Sequence, residues 1–120
     1  MFLQEKNLED IATLTPDERE AIKEFSRLLR EQLGTTVKEI ILFGSKARGD
    51  SEKYSDIDIL IVLDEVSWDI KKAISELAAE ENIRHNVLIS TIRYDIDIWA
   101  MPAIQASPFV MAVKREGIWL

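Results

Sequence analysis

The chain has 120 residues, 47% hydrophobic and 31% charged, with a net charge of −7, one histidine and no cysteine. That size and composition suit one folded domain spanning 1–120 and exclude a disordered chain. The missing cysteines exclude a disulfide scaffold, thiol catalysis and cysteine zinc sites, the lone His85 excludes a three-histidine metal site, and the acidity argues against binding duplex nucleic acid.

A short arm or helix is expected over residues 1–14. Thr15, Pro16 and Glu18 then form a strong helix start, with an N-cap, a proline at the first helical position and a capping box. Ala21, Ile22, Phe25, Leu28, Leu29 and Leu33 recur at helical spacing, and Gly34 ends that helix. "VKEIILF" at 37–43 reads as a strand. "GSKARGDSEKYS" at 44–55 has turn composition, with room for a short helix from Ser45. "DIDILIVL" at 56–63 is a second strand. Ser67 caps a second long helix from about Trp68 to Glu81, with Ile70, Ala73, Ile74, Leu77 and Ala78 as its apolar stripe. "NVLIST" at 86–91 reads as a third strand. Residues 92–106 are ambiguous, and Pro102 argues against one continuous helix there. Ser107 and Pro108 open a short helix that Gly117 closes, and "IWL" at the end reads as a last short strand. Trp119 and Leu120 are expected either to complete the core or to serve an interface in a homo-oligomer or partner complex. The order predicts an α+β (α/β-like) domain, a small mixed sheet with helices packed on it.

The longest apolar run, "ILIVL", is far short of a membrane span. The N-terminus shows no basic region followed by an apolar stretch. A cytoplasmic protein without membrane contact is therefore expected.

The second strand carries an oddity. Asp56 and Asp58 are two apart, so in a strand both point to one face, roughly 6–7 Å apart. At an effective dielectric of about 20 they repel by about 2–3 kcal/mol. A solvated strand start would tolerate this. So would a hard divalent cation held between the two carboxylates. The preceding loop favours the cation. Gly44 lets the backbone approach a ligand closely, and Ser45 offers a hydroxyl beside backbone N–H groups, a place for a phosphate oxygen. Arg48, one turn on, can reach the same anion, and Lys46 is a second candidate cation for it. Together these parts suit phosphoryl-type transfer, which needs positioned phosphates, charge neutralisation and an in-line nucleophile.

The stretch "LFGSKARGDSEKYSDIDILIVL", with G-S, ten intervening residues and D-x-D, resembles the DNA polymerase β-like nucleotidyltransferases. It is especially similar to their minimal nucleotidyltransferase (MNT) group. The resemblance implies a nucleotidyltransferase core in which Gly44 and Ser45 hold nucleotide phosphates, Arg48 assists, and Asp56 and Asp58 bind Mg²⁺ or Mn²⁺ as the catalytic pair. It further implies ATP as substrate and AMP transfer onto a tyrosine of a HEPN-type toxin, the chain serving as antitoxin.

Active members often carry a third carboxylate at the start of the next strand, and Asn86 is expected at that position. Asp95 and Asp97 form another D-x-D in the ambiguous segment, where a solvated surface is the simpler reading. His85 is expected to be structural. Two alternatives stand beside the enzyme: a non-catalytic antitoxin or adaptor, and nucleotidyl transfer to a small molecule such as an aminoglycoside. The second is weakened by a chain with little room for another substrate domain.

Overall fold

The computed structural model describes residues 7–52 and 55–120. The first six residues of the expected arm, and residues 53 and 54 of the loop, lie outside the described residues.

The helices begin where their caps stand. Thr15 accepts from Glu18 N while Glu18 Oε1 accepts from Thr15 N, and α1 runs Pro16–Leu33. Ser67 caps α3 (Trp68–His85) and Ser107 caps α6 (Pro108–Glu116), each accepting from the amide three residues on. Between α1 and α3 lie β1 (Val37–Phe43), the short α2 (Gly44–Arg48) and β2 (Ile57–Leu63). After α3 come β3 (Ile89–Asp95), the one-turn helices α4 (Ile96–Trp99) and α5 (Pro102–Gln105), then α6 and β4 (Ile118–Trp119).

The sheet order is β3-β2-β1-β4. β1 pairs antiparallel with β2 and with β4, whereas β2 and β3 are parallel. A parallel neighbour requires a crossover, and α3 is that crossover. The mixed sheet with packed helices is the expected α+β architecture.

Helices cover both faces of the sheet. Ile57, Ile59, Ile61 and Leu63 join Ile22, Phe25, Leu29, Ile74 and Leu77 of α1 and α3 in one core. The alternate residues Leu60 and Val62, with Ile41, pack against Trp99, Val110 and Val113 in a second. A strand buried on both faces reads as an unbroken apolar run, which is why β2 ends in "ILIVL".

Three expectations change. α3 continues past Glu81 to His85, and β3 starts at Ile89, not at residue 86. Asn86 is the C-cap of α3, in the left-handed conformation at φ 53°, ψ 52°. Asparagine tolerates that conformation better than most residues, and it ends the helix three residues ahead of the strand. The ambiguous segment resolves into the second half of β3 and two short helices, with Pro102 at the first position of α5, where a missing N–H costs nothing. Among the described residues, no helix is long and apolar enough to cross a membrane.

Candidate functional site

Alternation along β2 aims Asp58 at the α4–α6 side of the sheet, since Leu60 and Val62 point there. Phe43, Asp58 and Ser90 stand in register across β1, β2 and β3. Phe43 ends β1, so the chain turns into α2 directly beside Asp58. Gly44 makes that turn at φ 75°, and a Cβ built on it would lie 2.5 Å from Asp58 Oδ2. The carboxylate rests against the glycine backbone, so any side chain here would strike it.

Asp56 lies just ahead of β2 and is exposed, while Asp58 is half-buried. Burial, then the neighbouring Asp56 charge, holds the Asp58 carboxyl above its ordinary range, and Arg48 offsets this in part. The carboxylate is short of counter-charge. A hard divalent cation fits such a donor pair, one carboxylate just ahead of the strand and one within it.

Arg48 is exposed and tied to acids, its Nε 3.1 Å from Asp50 Oδ2 and its Nη1 3.3 Å from Glu116 Oε2 on α6. These two partners raise its guanidinium above the ordinary value. Its charge reaches Asp58, but an anion would have to draw the side chain off Asp50 and Glu116. Ser45 is half-buried in the first turn of α2, and its carbonyl accepts from Gly49 N and Asp50 N, closing the turn.

Lys46 does not join them. It is 1% exposed, with Nζ 2.6 Å from Glu18 Oε2 on α1 and 3.3 Å from the Glu52 carbonyl. It points beneath α2 into the α1 side and offers no charge to a phosphate. Sequence alone shows a lysine in a polar loop; only the packing shows it buried.

Asn86 is not placed as expected either. Asn86 caps α3 and does not begin β3. The residue beside Asp58 on β3 is Ser90, and by the same register Leu88 lies beside Asp56, its carbonyl accepting from Ile57 N at 2.8 Å. Neither is an acid. Asp95 and Asp97 are remote. Asp95 pairs with Leu63 at the far end of β2, about 17 Å from Asp58 at the usual strand rise. Its carboxylate caps α4 by accepting from Asp97 N and Ile98 N.

A G-S turn packed against a D-x-D strand, on a mixed sheet with helices on both faces, defines a nucleotidyltransferase core. The sequence matches the nucleotidyltransferase domain family over residues 18–120, and the chain belongs to that family. Two relatives from Methanocaldococcus jannaschii carry the provisional name protein adenylyltransferase. MJ0141 is 38% identical over 100 residues, covering 82% of this chain and 94% of its own. MJ0604 is 43% identical over 76 residues, covering 63% and 72%. Among solved structures, a mutant of the toxin–antitoxin MntA–HpeT is similar at TM-score 0.54 and 22% identity, over 82% of this chain and 70% of that one. A toxin–antitoxin with AMP-PNP is similar at TM-score 0.54 and 19% identity, over 81% and 70%.

Proposed function

We propose that this chain transfers AMP from ATP to a hydroxyl of a protein acceptor, a HEPN-type toxin, and so acts as its antitoxin. The observation that carries this reading is the contact of Asp58 with Gly44: it brings the phosphate turn and the carboxylate pair together at one sheet end. In this reading Gly44 and Ser45 seat the phosphates, Arg48 leaves Asp50 and Glu116 to meet them, and Asp56 and Asp58 hold Mg²⁺ or Mn²⁺. Such an ion supplies charge neutralisation at the phosphates. The acceptor oxygen bonds to the α-phosphorus, pyrophosphate leaves, and the hydroxyl proton passes to a base or to water. A protein acceptor is supported by the names of the two relatives, and the toxin by the toxin–antitoxin neighbours.

A second reading, a binder with little or no turnover, is favoured by Leu88 and Ser90. They lie beside Asp56 and Asp58 on the β3 side, where the family resemblance implies a third carboxylate, and base catalysis typically contributes about 100- to 10,000-fold. Labelled-ATP transfer to the co-purified partner separates the two. On the enzyme reading, label reaches the partner with divalent metal and is lost in Asp56→Asn and Asp58→Asn. On the binder reading, the parent transfers little and Ser90→Asp or Leu88→Asp raises the rate. Asn86→Asp leaves it unchanged in either case. Failure of every version to bind Mg·ATP, by calorimetry, would sink both readings.

A further inference from the structure

Away from the D-x-D, between α1 and α3, lies a cluster the nucleotide chemistry does not use. Glu24 of α1 and Glu81 and His85 of α3 bring one ligand atom each to within 4.8 Å of one another. The cluster sits on the sheet face opposite that of Asp58, since α1 and α3 cover Ile57, Ile59 and Ile61. Glu81 and His85 are four apart and share one helix face.

The bonding there is incomplete. The Glu81 side chain is fully buried. Its Oε1 is 3.4 Å from Arg84 Nη1, which also pairs with Glu24 Oε1. Its Oε2 has no hydrogen-bond partner, and neither has the buried His85 Nε2, although the two are 3.2 Å apart. Burial, then a hydrogen bond shared with Glu24 and the Glu24 charge, push the Glu81 carboxyl up to about 7, with Arg84 offsetting only part. An unpaired carboxylate oxygen and an unpaired imidazole nitrogen, both out of water, are costly unless something lies between them.

The geometry points to a metal site at Glu24, Glu81 and His85 that takes a divalent transition ion of the zinc type and clips α1 to α3. Donors about 2.0–2.2 Å from a tetrahedral ion lie roughly 3.3–3.6 Å apart. The separations of His85 Nε2 from Glu81 Oε2, 3.2 Å, and from Glu24 Oε1, 3.9 Å, bracket that range. One imidazole with two carboxylates selects zinc-like ions over magnesium or calcium, which prefer oxygen alone. Three protein donors leave a position for water. Glu24 and His85 keep 18% and 14% exposure, so the ion has a way in. Arg84, paired with both glutamates, is the competing cation, and its side chain is 54% exposed, so an ion that displaces it sends it into solvent.

The test uses the full chain, tag removed, carrying Asp56→Asn and Asp58→Asn so that the D-x-D contributes no metal. After chelator treatment, Co²⁺ is titrated and followed by visible absorption, and melting temperature is read with and without Zn²⁺. We expect one equivalent of Co²⁺ with the bands of a low-coordinate site, and a melting temperature raised by Zn²⁺. His85→Asn and Glu24→Gln should lose both signals while keeping the parental circular dichroism; Glu24, unlike Glu81, is not fully buried, so its variant guards against misfolding. Arg84→Ala should tighten Co²⁺ binding by removing the competitor. Only the aqueous Co²⁺ spectrum, or equal binding by His85→Asn, overturns the proposal. So does an Arg84→Ala protein that melts lower and is not rescued by Zn²⁺; the cluster is then a carboxylate pair balanced by arginine.

Discussion

Asp58 is held in a poor place for a carboxylate. Its charge is partly desolvated and faces Asp56, which is why its carboxyl lies above the ordinary range. Neutralising it should help the folded state and harm the site. Asp58→Asn, without metal, is expected to melt at or above the parental temperature, while Mn²⁺ broadening and ATP binding fall away. A lower melting temperature would mean the carboxylate is structural. Gly44 is the complementary case. Alanine there meets two penalties, a left-handed φ and a Cβ 2.5 Å from Asp58 Oδ2. The backbone term alone is on the order of 1–3 kcal/mol. Gly44→Ala should therefore lose stability and nucleotide binding together, read by denaturation and calorimetry on the same sample. Nucleotide binding unchanged from the parent would show that the close approach is idle.

Two elements are joined beneath the site by the ion pair of Glu18 and Lys46. Glu18 divides its carboxylate, Oε1 closing the capping box of α1 and Oε2 meeting Lys46 of α2 at 2.6 Å. The first turn of α1 thus fixes the helix that carries Ser45. Removing one partner of a buried pair strands the other, at roughly 3–5 kcal/mol. Lys46→Met should cost about that much by urea denaturation. Adding Glu18→Gln should recover part of the loss, since the uncompensated charge goes with it. A single variant within about 0.5 kcal/mol of the parent, the usual range for an ordinary surface substitution, would place the lysine in water.

At the scale of the molecule, the end of the sequence serves two purposes. Ile118 is 2% exposed and pairs with Leu42, and Leu120 packs on the same core while its amide donates to the Ile40 carbonyl at 2.8 Å. Trp119 faces outward, 47% exposed, its indole N–H directed at Glu39. Gly117 lets α6 pass close over the sheet, since a Cβ would meet the Val113 carbonyl at 2.5 Å and Ile41 at 2.7 Å. Burying one isoleucine contributes about 1.5–3 kcal/mol. Removing residues 118–120 should therefore lower the melting temperature by on the order of 10 °C. Trp119→Ala should leave it nearly unchanged. The reverse ranking would make the tail an assembly element with little part in the core.

The local signals were legible in the sequence because each acts within a few residues. Thr15, Ser67 and Ser107 cap amides three positions on, Pro16 and Pro108 sit where no N–H is needed, and the G-S and D-x-D spacing carries the family. The long-range placements were not legible. Whether residue 86 begins a strand depends on how far α3 must run before the chain can return beside β2, so Asn86 became a cap and Ser90 took the place beside Asp58. Whether Lys46 meets a phosphate or Glu18 depends on which side of α2 packs on α1. Glu81 and His85 stand four apart on α3, but Glu24 lies on another helix, so no local signal joins the three. Pairing between elements distant in sequence is set by register and burial, and only the tertiary structure decides those.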